Sequence, residues 1–173
     1  QRQMCIRDRY TNLYTFDESG KRFLLSKVDV TNGKRISFQF EASQYNKGWN
    51  ELFSTNQHTF ISGPTGNPKF MQIFMDTIFE ITPKGIKPYI TLQSKKLVTK
   101  EYLETLIAEN DMSKSARVSK ICDRLMKTDK IYNVFDYWET AKYIHFGYHI
   151  GFYLYSILYK KEENKAYVMS GIT

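Results

Sequence analysis

The sequence predicts a mainly β protein made of antiparallel meanders, with a short helical excursion near residues 99–127. Three observations carry that reading. Aromatic residues occupy 16% of the 173 positions, with 13 Tyr and 12 Phe, and such side chains fit pleated, half-buried surfaces. Short apolar runs are punctuated throughout by Gly, Pro, Asn and Asp clusters, which mark turns. Residues 131–173 hold four strand-like segments in succession.

The elements follow in order. Leu13, Tyr14 and Phe16, then Phe23, Leu24, Leu25 and Val28, flank the turn residues Asp17 and Gly20, which is the pattern of a hairpin. Asn32-Gly33 is the next turn signal. After it Ile36, Phe38 and Phe40 alternate with Ser37, Gln39 and Glu41, the period-2 pattern of a strand with one buried face. Residues 49–54 and 59–62 are further strand candidates, and the Gly/Pro-rich stretch 63–68 is a loop before Phe70. A second hairpin pairs residues 77–81 with 86–92 across Pro83 and Gly85. Pro88 cannot donate to a ladder, so its arm is expected to be irregular or to lie at an edge. Tyr102, Leu103, Leu106 and Ile107 then fall at helical spacing behind Thr99, a plausible N-cap residue. Val118, Ile121, Cys122 and Leu125 repeat the helical pattern more weakly. Strands resume at 131–138, 142–150, 152–159 and 166–169 and form a four-stranded antiparallel meander. Gly147 and Gly151 within it point to a bulge or a close backbone approach.

The net charge of +7 is spread along turns and forms no basic stripe, so no nucleic-acid partner is expected. Residues 1–9 contain Met4-Cys5-Ile6-Arg7-Asp8-Arg9. They read as a translated sequencing adapter, a non-native segment to be set aside from fold reasoning. Beyond Cys5 there remains Cys122, from which neither a disulfide nor a cysteine zinc site can be built; a buried thiol on a helix face is the reading. No run of about 18 apolar residues suggests a membrane-spanning helix.

The hairpin Asp76-Thr77-Ile78-Phe79-Glu80-Ile81 followed by Gly85-Ile86-Lys87-Pro88-Tyr89 resembles the "D-T-I-Y-x-I … G-x-x-P-x-Y" hairpin of bacterial six-bladed β-propeller proteins. Glu139-Thr140-Ala141-Lys142-Tyr143-Ile144-His145-Phe146 and the Tyr/Lys-rich Tyr155-Ser156-Ile157-Leu158-Tyr159-Lys160-Lys161 are similar to a later strand pair of that family. The strand–turn at residues 13–20 is similar to propeller blades generally. The likeness covers residues 11–169. It implies a partial β-propeller of about three to four blades, because six blades of about forty residues need about 240. On that expectation residues 10–173 belong to one propeller domain truncated at both ends. The family's secreted or lipid-anchored character implies a cell-envelope or secreted location, with membrane attachment only through a lipid anchor outside this chain.

Chemistry-bearing motifs are sparse. His145 and His149 share a strand face about 13 Å apart, too far for one metal ion, and His58 stands alone, so neither metal nor cofactor is expected. The stretch 63–69 lacks the Gly-Lys-Ser/Thr ending of a phosphate loop. Asp129, Asp136 and Glu139 lie near one another in sequence, and a glycosidase needs two carboxylates about 5–10 Å apart. Aromatic side chains are the richest candidates, since exposed rings stack on sugars or anchor peptides. Trp49, Trp138, Tyr148 and His149 are the expected ligand contacts. The functional expectation is a non-catalytic scaffold binding a carbohydrate or protein ligand. The alternatives are a propeller-borne hydrolase or lyase and an independent α+β domain.

Overall fold

The computed structural model describes residues 8–11, 16–45, 60–61, 66–108 and 114–170. The chain divides into two units, Gln1–Ser54 and Thr55–Thr173. The fold is mainly β with a few short helices, as the composition predicts.

In the first unit β1 (Asp8–Thr11), β2 (Phe23–Asp29) and β3 (Arg35–Glu41) form an antiparallel sheet in that order. β2 is central, and Leu24, Leu25 and Ser26 are all buried, so both of its faces are covered. Asp17 makes the first turn by accepting from the Ser19 and Lys21 N–H groups, each at 2.9 Å. Asp29 does the same at the β2–β3 turn, accepting from Thr31 N–H at 2.8 Å. These are side-chain imitations of a backbone turn. Of the first predicted arm, residues 12–15 lie outside the described residues, and Phe16 bridges Arg22. The predicted buried face of β3 is only partly realised. Phe38 packs on Phe23 with ring centroids 5.2 Å apart, but Ile36 is exposed. Phe40 sits at φ 60°, which breaks the pleat just before the single-turn helix α1 (Ala42–Tyr45).

The second unit contains two four-stranded antiparallel sheets. In the first, β4 (Phe60–Ile61), β5 (Lys69–Phe70), β6 (Thr77–Thr82) and β7 (Gly85–Thr91) are neighbours in sequence order. The predicted β6–β7 hairpin forms, and Pro88 faces Phe79 at a register shift on the edge strand β7. An edge is where a missing N–H is tolerated. The predicted strand at 49–54 lies outside the described residues.

The helical excursion is α2 (Lys100–Ala108) and α3 (Lys114–Met126). Each turns a short apolar stripe inward, Leu103 and Leu106 from α2 and Ile121 and Leu125 from α3. Thr99 caps α2, its Oγ1 accepting from Tyr102 N–H at 3.2 Å. Thr99→Ala is therefore expected to cost about 1 kcal/mol and Thr99→Ser to be near neutral, as read from urea unfolding.

The last sheet is the predicted meander. β8 (Ile131–Glu139), β9 (Tyr143–Ile150), β10 (Tyr153–Lys160) and β11 (Lys165–Ser170) pair in sequence order. Gly151, between β9 and β10, has φ 57°, and a Cβ there would stand 2.8 Å from Met126 O and 2.9 Å from Thr128 O. The carbonyls that end α3 thus press directly on the sheet's turn, a close approach that only glycine allows.

Candidate functional site

The pleat of β9 sorts its residues by parity. Ile144, Phe146 and Tyr148 face the core and are buried. His145, Gly147 and His149 share the other face. From the neighbouring strand, rings stack on both imidazoles. Trp138 lies 5.0 Å from His145 at 14° between planes, and Phe135 lies 4.7 Å from His149 at 26°. Tyr132 stacks on His149 from farther off, at 6.2 Å. Gly147 leaves the gap that Phe135 fills: a Cβ there would come within 2.8 Å of the phenyl ring. The result is one continuous aromatic and imidazole stripe.

A bulge makes the stripe possible. Phe135 pairs with Gly147 and Trp138 with His145, so three steps along β8 match two along β9. In a regular pleat residues three apart point to opposite faces. The extra residue, with Asp136 at φ 50°, returns Trp138 to the face of Phe135. The same step turns Tyr137 inward, where it is buried.

The bulge also places Asp136 beside His145. His145 Nδ1 lies 3.1 Å from Asp136 O and 4.0 Å from Asp136 Oδ2. Both neighbours are acceptors, so Nδ1 carries the proton and donates to the carbonyl. In the neutral ring Nε2 is then an acceptor. Trp138 remains 41% exposed and the Asp136 side chain 69%. At His149 burial holds the pKa below the usual histidine value.

A second polar cluster in this unit links the β4–β7 and β8–β11 sheets. Lys69, fully buried, donates to Glu80 Oε1 at 2.7 Å, and Lys87 meets Glu80 Oε2 at 2.9 Å. The Lys69 ammonium also sits 4.2 Å from the Tyr89 ring centroid, a cation–π contact. Across the sheets the Tyr89 hydroxyl donates to Glu139 Oε1, Tyr137 donates to Oε2 at 2.7 Å, and Lys161 pairs with Oε1. Hydrogen bonds from Lys69 and Lys87 hold the Glu80 carboxyl down at about 2. At Glu139 burial pushes the pKa up, but bonds from Lys161, Tyr89 and Tyr137 outweigh it and keep the carboxyl below its usual range. Burial first, and the bond to Glu139 second, push both the Tyr89 and Tyr137 phenols well up. Ionised carboxylates with both oxygens engaged, facing protonated phenols, suit a structural hub; a general acid needs a raised carboxyl pKa.

Of the four residues expected to contact ligand, Trp138 and His149 share the stripe. Tyr148 lies on the opposite face of β9, buried, and stacks on Tyr155 at 5.4 Å. Trp49 lies outside the described residues. Of the three carboxylates noted in the sequence, Asp136 stands by His145 while Glu139 is enclosed among Tyr89, Tyr137 and Lys161. Asp129 is exposed and 3.7 Å from Lys96. Sequence reasoning missed Phe135, Tyr132 and Asp136 as members of the stripe; the His-x-Gly-x-His spacing was one visible signal, and Gly147 pointed to a bulge or close approach without showing that the extra residue lies on β8. Cys122 sits half-buried on α3, where burial raises its thiol pKa, so it is not a ready nucleophile. Among the described residues no group of three or more His, Cys, Asp or Glu side chains is placed to hold a metal ion, and no helix is long and apolar enough to cross a membrane.

No protein-family model matches the chain, and no curated protein matches it significantly. Among solved structures it is similar to the crystal structure of a "Putative exported protein" from Bacteroides fragilis, with a TM-score of 0.65 and 16% sequence identity. The match covers 89% of this chain and 40% of that protein, so the chain spans well under half of its structural neighbour's length. At this identity the likeness is one of fold.

Proposed function

We propose that this chain is part of a non-catalytic binding scaffold in an exported or cell-envelope protein, built of propeller-like repeats, which holds a carbohydrate or protein ligand on the β8–β9 stripe. The observation that carries the binding role is the stripe itself: stacked rings ending in a tryptophan that keeps 41% exposure beside two hydrogen-bonding side chains. Large apolar rings with polar neighbours are what binding faces use. Three successive sheets, each of strands adjacent in sequence, support the repeat reading. The exported neighbour in structural comparison supports the location.

The test has two parts. The tagged product of the native gene is expected in the envelope or the medium after fractionation, and recovery from the cytoplasm alone would overturn the location. The purified protein is expected to retain glycans or peptides from an immobilised panel without altering them. Trp138→Ala should lose that retention at an unchanged melting temperature. Cleavage of a retained ligand would favour the hydrolase or lyase reading instead.

A further inference from the structure

Building on the proposal of a binding stripe, we infer that its exposed end, formed by Trp138, Asp136 and His145, is a subsite for a neutral pyranose. Three features converge on that ligand class. The indole packs on the His145 ring at 5.0 Å and is still 41% exposed, which provides a held, flat apolar platform. The C–H face of a pyranose is a ring-sized apolar surface that fits such a platform.

The polar groups beside the platform are acceptors. Asp136 offers a carboxylate that is 69% exposed. His145 donates its Nδ1 proton to Asp136 O at 3.1 Å, which in the neutral ring leaves Nε2 as an acceptor. Two acceptors flanking one ring call for two donors on the ligand, and adjacent sugar hydroxyls are such donors. A carboxylate at the mouth disfavours an acidic sugar or any other polyanion by like-charge repulsion.

The strand itself argues against an extended peptide. β8 is the terminal strand of its sheet, and strand addition would need an even ladder along it. The register shift between Phe135 and Trp138, with Asp136 at φ 50°, interrupts that ladder where the ring platform lies. The subsite therefore offers stacking and side-chain hydrogen bonds with no backbone ladder, the arrangement that suits a sugar ring.

Titration of the isotopically labelled full chain with cellohexaose, mannohexaose and a β-1,4-galactohexaose tests this, read by the indole N–H resonance of Trp138 and by calorimetry. Trp138→Phe assigns the resonance by removing it. At least one of the three sugars is expected to shift that resonance saturably. Trp138→Ala should weaken binding about tenfold or more, and Trp138→Phe by less, because it keeps a ring. Asp136→Asn, which keeps an oxygen acceptor but not its charge, should weaken binding several-fold. If the alanine variant does not fold by circular dichroism, the Phe and Asn variants carry the test. A saturable shift from a peptide or from polygalacturonate, with none from the neutral sugars, overturns the pyranose assignment and leaves the binding stripe standing. No shift from any of these probes overturns both.

Discussion

Glu80→Ala is expected to destabilise the second unit by about 3–5 kcal/mol, because it takes the carboxylate away from an ammonium that water does not reach. Lys69 is fully buried and meets Glu80 at 2.7 Å. The Tyr89 ring over Lys69 offsets only part of the loss. Lys69→Ala should cost less, since Lys87 still pairs with Glu80 at 2.9 Å. The double variant Lys69→Met/Glu80→Leu should recover most of the stability, because removing both charges removes the desolvation cost of each. Urea unfolding followed by circular dichroism reads all three. A single-variant loss below about 1 kcal/mol, or a double variant no better than Glu80→Ala, would show that the pair is not the anchor described here. The pH dependence has a definite sign. The Glu80 carboxyl falls from 4.5 to about 2 on folding, so its contribution is complete above pH 4.5 and disappears as the pH drops towards 2. Glu80→Gln should flatten the acid limb of the stability curve in that window.

Gly151→Ala is expected to be nearly as damaging, for a backbone reason. A side chain at φ 57° costs about 1–3 kcal/mol on conformation alone. The added methyl would also meet two carbonyl oxygens, Met126 O at 2.8 Å and Thr128 O at 2.9 Å, and overpacking of this kind adds about 1–3 kcal/mol. Both contacts are to backbone, which gives way less readily than the far end of a side chain. The expected signature is a lowered unfolding midpoint together with loss of protection at the α3 C-terminus in hydrogen exchange. A variant as stable as the parent would mean that α3 does not bear on the β9–β10 turn.

Much of the architecture was legible because it is written locally. The β6–β7 hairpin, the meander of β8–β11 and the cap at Thr99 each rest on turn residues or spacing within a few positions. The buried face of β3 was misjudged at Ile36, since alternation alone cannot register the bulge there: Lys27 pairs with Ser37 and Val28 with Arg35, which leaves Ile36 as the extra, exposed residue. The site was legible in half-measure. Trp138 and His149 could be picked out as a ring and a base on strands, but their common face depends on a one-residue bulge. Tyr148 looks the same in sequence and points the other way. The Lys69–Glu80–Tyr89–Glu139 hub was hidden for a related reason: it joins residues up to 70 positions apart, and a charge inside an apolar strand reads as solvent-facing until its partner is placed.

The fit of Phe135 into the space over Gly147 has a consequence for how this chain can change over generations. The two positions form a single steric unit, in which a large ring on β8 requires the absence of a side chain on β9. A mutation of Gly147 alone meets the ring, and a loss of Phe135 alone opens a hole over bare backbone and strips His149 of the nearer of its two stacking partners. Descendant lineages should therefore exchange the two residues jointly, trading ring-and-glycine for a smaller side chain facing an alanine or serine. The stripe's middle is in this sense inherited as a pair, while Trp138 at its outer end is free to drift with whatever it has to meet.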